Sequence, residues 1–160
     1  MNQDRQQTPV AETIWFRGNC ATAEETATLA RKFADMLQPG DVVAFYGNLG
    51  SGKTYFIKAL CQAWQCAQEA TSPTFTIINE YTTRQGVFVY HFDFYRLESE
   101  AELMNLGLEE FFYNDYICLI EWADKIEKYL PPQRWEVYLD FLPEHPDARA
   151  VKIVKREPHE

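Results

Sequence analysis

Hydrophobic and polar positions along the chain alternate between two periods, and the order of those periods outlines the fold. Residues 12–17 (ETIWFR) form a short β-prone run. Thr22-Ala23-Glu24-Glu25 then reads as a capping box, after which Ala27, Ala30, Phe33, Ala34 and Leu37 recur at helical spacing until Pro39-Gly40 stops the helix. Residues 41–46 (DVVAFY) are a continuous apolar run bounded by glycines, the pattern of a strand buried on both faces of a parallel sheet. A glycine-rich loop leads straight into residues 53–64, which combine helical periodicity with good helix formers. Two β-branched and aromatic runs, 74–82 and 87–95, flank Arg84-Gln85-Gly86 and predict a hairpin, so the sheet is expected to be mixed. Residues 98–112 predict helical turns broken at Gly107, residues 116–121 (YICLIE) another buried strand, and 122–129 a short helix before Pro131-Pro132. Residues 135–142 and 150–155 alternate like closing strands, the last an edge guarded by Lys152 and Lys155.

Composition narrows the class. At 160 residues, 46% hydrophobic and 24% charged, the chain can bury one core, so residues 1–160 are expected to form a single domain with tails at 1–10 and 156–160 left disordered. The net charge of -9 is opposite in sign to that of a self-sufficient nucleic-acid binder, so any nucleic acid would be reached through a partner. The polar N-terminus and the lack of any apolar run near the ~20 residues of a membrane span point to a cytoplasmic protein without membrane contact. Cys61 and Cys66, spaced within a predicted helix, lack the CxxC form of zinc and redox sites; with Cys20 and Cys118 they read as structural thiols.

The chemistry concentrates in Gly47-Asn48-Leu49-Gly50-Ser51-Gly52-Lys53-Thr54, a complete GxxxxGK[ST] match between a predicted strand and a predicted helix. Glycines there let consecutive backbone N–H groups approach phosphate oxygens, and the helix adds its positive N-terminal end. Lys53 would reach the β and γ phosphates and the Thr54 hydroxyl would ligate Mg²⁺. The guanine-reading Asn-Lys-x-Asp pattern is absent, which favours ATP by elimination. The expected architecture is therefore an α/β three-layer sandwich of P-loop NTPase type with a mixed central sheet.

Turnover needs further groups near the γ phosphate. Asp93 ends a predicted strand, where a carboxylate either holds Mg²⁺ or is merely solvated. Glu121 ends another strand at the carboxyl edge of the sheet; it either orients or deprotonates the attacking water or makes a structural salt bridge. Thr74, in Ser72-Pro73-Thr74-Phe75, either meets the γ phosphate and Mg²⁺ as a switch threonine or closes an ST-turn. His91 reads first as a satisfied strand histidine, Arg96 as a partner of acids such as Glu98 or else a charge-neutralising finger, and Trp122 as either core or nucleotide-side packing.

In the order GNLGSGKT, SPTF, HFDFYRL, IEW, across about residues 22–142, the chain resembles the TsaE (YjeE) family, bacterial ATPases of tRNA threonylcarbamoyladenosine biosynthesis. The resemblance implies ATP and Mg²⁺ as cofactors and TsaD and TsaB as partners, which modify the adenosine beside the anticodon of ANN-decoding tRNAs. It implies as well that ATP turnover resets their assembly and that tRNA is met only through the complex. Carried over to this chain, Lys53, Asp93 and Glu121 are the catalytic set. Thr54, Thr74, Asp93 and Glu121 surround the metal, and residues 48–55 (Asn48, Leu49, Gly50, Ser51, Gly52, Lys53, Thr54, Tyr55) with Trp122 contact the nucleotide. Tyr55 departs from the family, which has a second Thr there, so an α-phosphate hydroxyl contact is in question while the backbone cradle is intact.

Two other readings stand beside this one. A small-molecule kinase would need an arginine-bearing lid, whereas Arg84, Arg96, Arg134, Arg149 and Arg156 are scattered. A nucleotide-gated binding module would differ mainly in rate. The basic C-terminal segment ARAVKIVKRE fits contact with tRNA or a partner as well as edge protection.

Overall fold

The computed structural model describes residues 10–158. Seven strands form one sheet: β1 (Val10–Cys20), β2 (Val42–Tyr46), β3 (Ile78–Thr82), β4 (Phe88–Asp93), β5 (Ile117–Glu121), β6 (Arg134–Leu142) and β7 (His145–Pro158), in the order β1-β7-β6-β2-β5-β4-β3. The pairs β6/β2, β2/β5 and β5/β4 are parallel, whereas β1/β7, β7/β6 and β4/β3 are antiparallel. The sheet is mixed, as the sequence predicts.

Strand alternation divides the core into two apolar layers. Val43 and Phe45 of β2 and Leu119 of β5 pack under α1 (Ala23–Ala34) and α2 (Lys53–Ala63), with Phe33, Phe56 and Leu60 filling the layer. Val42, Ala44, Cys118 and Ile120 face the other way, onto α3 (Glu100–Met104), α4 (Leu108–Phe112) and a 3₁₀ segment at Ala123–Tyr129. Because both faces of β2 and β5 are covered, their sequences are unbroken apolar runs. Helix α1 starts at the predicted cap: the Thr22 hydroxyl accepts from the Glu25 N–H at 3.1 Å, while the Glu25 carboxylate reaches one residue beyond the cap and accepts from the Ala21 N–H at 2.6 Å.

Three expectations change. Residues 74–77 are turn rather than strand, because the Ile77 N–H closes back onto the Pro73 carbonyl at 2.7 Å and Ile77 takes a left-handed φ of 69°. Strand β7 lies inside the sheet, not at its edge, since the long β1 pairs with it from Val10 to Cys20. Its cations are spent on ion pairs, Lys152 with Glu12 at 3.3 Å and Lys155 with Glu157 at 3.1 Å, so they guard no edge. The same pairing carries Val10 and residues 156–158, expected as tails, into β1 and β7; residues 1–9 and 159–160 lie outside the described residues. Among the described residues no helix is long and apolar enough to cross a membrane.

Candidate functional site: a phosphate-binding cleft at the carboxyl ends of β2, β4 and β5

Strands β2 and β5 are parallel neighbours, and the connection leaving β2 runs through α2 on one face of the sheet while that leaving β5 runs through the 3₁₀ segment on the other, so a crevice opens at their carboxyl ends. The loop 47–52 occupies that crevice. Gly47 cannot be another residue without rearrangement: an added Cβ would lie 2.4 Å from Ser51 Oγ and 2.5 Å from the Leu139 carbonyl of β6. The Ser51 N–H closes the turn on the Asn48 carbonyl at 2.9 Å, and Gly52 caps α2 with φ 103° and no side-chain hydrogen bond. The first N–H groups of α2 are thus left without a side-chain acceptor and aimed outward, an anion-binding arrangement.

Lys53 is 5% exposed, hydrogen-bonded to the Gly47 carbonyl, with its ammonium 3.7 Å from the centre of the Trp122 ring. Burial holds its pKa below the usual lysine value, and the nearby Glu121, Asp124 and Asp93 oppose that shift. Thr54 Oγ1 lies 2.9 and 3.1 Å from the two oxygens of Glu121, 67 residues away. Glu121 is the last residue of β5, pairs in register with Asp93 of β4, and is 3% exposed. Asp93 accepts from the Tyr95 N–H at 2.8 Å through one oxygen and from the Thr74 and Ser72 hydroxyls at 3.2 and 3.4 Å through the other. Trp122 takes a left-handed φ of 58° just beyond β5 and packs against Tyr95 at 5.0 Å between ring centres.

Lys53, Thr54, Thr74, Asp93, Glu121, Trp122, Leu49, Gly50, Gly52 and Tyr55 therefore line one cleft of about 270 Å³. Asn48 and Ser51 do not line it; their backbones shape the turn behind it. Tyr55 borders the cleft, but its hydroxyl donates to the Ala23 carbonyl at 3.1 Å. Arg96 makes no ion pair with Glu98 among the described residues; its guanidinium stacks 4.2 Å from the ring centre of the exposed Phe75. The donor set fits an Mg²⁺ nucleotide. A threonine hydroxyl and two carboxylates are hard oxygen ligands, and among the described residues no cluster of three or more His, Cys, Asp or Glu side chains forms a self-contained metal cage. Volume alone does not pick the site, since a cleft of about 690 Å³ beside Trp64 and Arg84 has no phosphate-binding turn.

Two contributors escape a linear reading. Arg149 of β7 donates from Nε to the Ser51 carbonyl at 2.8 Å, bracing the loop from 98 residues away. His91, expected as an ordinary strand histidine, puts Nε2 2.6 Å from Glu121 Oε2. Neither has a sequence signal, because both depend on strand order.

The model of the family described as "Threonylcarbamoyl adenosine biosynthesis protein TsaE" matches residues 20–150. A Bacillus subtilis protein named tRNA threonylcarbamoyladenosine biosynthesis protein TsaE is 44% identical over 117 residues, covering 72% of each chain. A Haemophilus influenzae protein of the same name is 35% identical over 129 residues, covering 78% of this chain and 79% of its own. The crystal structure of Bacillus subtilis YdiB superposes with a TM-score of 0.70 at 31% identity, over 96% of this chain and 90% of that one. The matched region holds every residue that lines the cleft, and with likeness at the level of family, sequence and fold, this chain belongs to the TsaE family.

Proposed function

We propose that this protein binds ATP with Mg²⁺ and hydrolyses it in the service of tRNA threonylcarbamoyladenosine biosynthesis, working in the cytoplasm with TsaD and TsaB and meeting tRNA through them. The observation that carries the reading is the Thr54–Glu121 contact, which brings the P-loop hydroxyl and a strand-end carboxylate together at the mouth of the phosphate cradle. Mg²⁺ would supply charge neutralisation to the bound phosphates. Thr54 and Glu121 would hold it, with Asp93 and Thr74 beside them. Lys53 carries its ammonium to the phosphates from a buried stem, so its charge is poorly screened there. Glu121 would orient an attacking water, a role supported by its hydrogen bonds and its burial.

The kinase alternative draws no support from the arginines. Arg84 donates to Gln65, Arg134 to the Pro131 carbonyl, Arg149 to Ser51, and Arg156 pairs with Glu12 and Glu136, while Arg96 stacks on Phe75. None lines the cleft as a lid arginine would. The test is phosphate release from ATP by the purified protein, alone and with a TsaD–TsaB pair, with Lys53→Ala as control and a panel of metabolites offered as acceptors. Stimulation by the pair that is lost in the control is expected. Phosphate appearing on a metabolite instead would overturn the hydrolase reading.

A further inference from the structure

Behind the cleft, the α2-facing side of the sheet carries a line of polar side chains through an otherwise apolar layer. It starts at Glu121, whose Oε2 is 2.6 Å from His91 Nε2. His91 Nδ1 is 3.0 Å from the Tyr81 hydroxyl. That hydroxyl lies 3.1 Å from both the N–H and the carbonyl of Thr71, the residue before Ser72-Pro73-Thr74. His91 is fully buried and Tyr81 nearly so, among Val89, Ile117 and Leu119. Strand register makes the line possible: Leu119 pairs with His91 and Val89 with Tyr81, so Glu121, His91 and Tyr81 are successive diagonal neighbours on one face.

A histidine kept only for packing would be satisfied locally. Here both ring nitrogens are engaged by side chains, one leading to the cleft and the other to the segment that carries Thr74. The hydrogen inventory closes with an ionised Glu121 and a neutral imidazole: Nε2–H donates to Glu121, Tyr81 donates to Nδ1, and the Thr71 carbonyl accepts from Asn79 Nδ2 at 3.1 Å.

We propose that His91 and Tyr81 are positioning residues for the ATPase site: they fix the Glu121 carboxylate in the orientation that meets Thr54 and tie it to residues 71–74, so that carboxylate and Thr74 segment are held as a unit. This deepens the reading given above and rests on Glu121 acting at the metal and the water. Thr54 and His91 together restrain a carboxylate that would otherwise rotate about its last side-chain bonds, and partners of this kind are commonly worth about 10- to 100-fold in activity or metal affinity.

The test uses the full chain with three variants. Tyr81→Phe keeps shape and loses one hydroxyl, His91→Gln keeps an N–H of similar reach, and His91→Leu keeps neither partner. In single-turnover ATP hydrolysis with Mg²⁺, Tyr81→Phe and His91→Gln should lower the rate constant about tenfold or more while nucleotide Kd stays within about twofold, and His91→Leu should lose more than His91→Gln. Amide exchange at Thr71 should quicken about tenfold in Tyr81→Phe. Independently of turnover, the ¹⁵N-labelled protein should show a downfield, slowly exchanging His91 Nε2–H resonance that shifts in Glu121→Gln. Wild-type rates in both Tyr81→Phe and His91→Gln, or an imidazole resonance indifferent to Glu121→Gln, would overturn the proposal. If the wild type hydrolyses no ATP even with the TsaD–TsaB pair present, the hydrolase reading falls by itself, and the resonance still decides whether His91 orients Glu121.

Discussion

A single methyl group at Gly47 should damage both stability and phosphate binding. An alanine Cβ there sits 2.5 Å from the Leu139 carbonyl, which is fixed in β6 between β2 and β7, and 2.4 Å from Ser51 Oγ. The serine can rotate, because its buried hydroxyl has no hydrogen-bond partner, but the carbonyl cannot move without breaking sheet register. Restoring an ordinary contact requires the start of the loop to shift by about 0.9 Å, and overpacking of this kind costs about 1–3 kcal/mol. At about 2–4 °C per kcal/mol for a domain of this size, the unfolding midpoint should fall by about 2–12 °C. The Gly47 carbonyl also holds the Lys53 ammonium, so the shift carries the phosphate donors with it. A misplacement near 1 Å in a positioned site costs up to about 100-fold, and ATP affinity should fall about 10- to 100-fold. Thermal unfolding by circular dichroism and ATP titration by calorimetry measure the two effects. Gly86→Ala is the control: at φ 85° but with open space around it, it should lose stability through backbone strain and leave ATP affinity unchanged. Wild-type unfolding and affinity in Gly47→Ala would refute the close-approach argument; lost stability with full affinity would refute its link to the cradle.

Lys53→Met should abolish measurable ATP binding in calorimetry while leaving the protein folded. Because burial lowers the folded-state pKa of Lys53, the unfolded chain binds more protons as pH rises toward 10.5, so wild-type stability should gain on Lys53→Met across that window in thermal melts. Asp93→Ala removes the acceptor of Thr74, Ser72 and the Tyr95 N–H; hydrogen exchange should quicken in residues 72–77, with a global loss of about 1–3 kcal/mol in denaturant titrations. Of the four thiols, Cys66 should react first with an aromatic disulfide reagent under native conditions, since a hydrogen bond from Cys61 lowers its pKa. Cys20, Cys61 and Cys118 are buried with raised pKa values, that of Cys118 to about 12, and labelling of Cys118 at a rate matching Cys66 would contradict its burial.

What local chemistry dictates was legible from the residues alone. The capping box at Thr22, the apolar runs of β2 and β5, and the contiguous phosphate loop are each specified by neighbours a few positions apart, so their elements follow from periodicity and turn preference. Where the sequence reading departs from the structure, a non-local partner or a backbone twist decides. Residues 74–77 carry strand-forming side chains, but the bond from Ile77 back to Pro73 turns them. Lys152 and Lys155 have the composition of edge guards, but β1 supplies a strand beyond β7 and Glu12 an ion-pair partner for Lys152.

The candidate site divides along the same line. Gly47 to Thr54 and the strand-end acids Asp93 and Glu121 follow from sequence, since a phosphate loop is contiguous and a carboxylate closing an apolar strand lies at the carboxyl edge of a parallel sheet. That Glu121 meets Thr54, that His91 and Tyr81 stand behind it, and that Arg149 braces the loop were decided by tertiary structure alone. These contacts span 67, 30, 10 and 98 residues, and strand order and register bring them within hydrogen-bond reach. Hydrophobic periodicity determines which face of a strand is buried, but it carries no information on which strand lies beside which, and the polar line through this core depends on that adjacency.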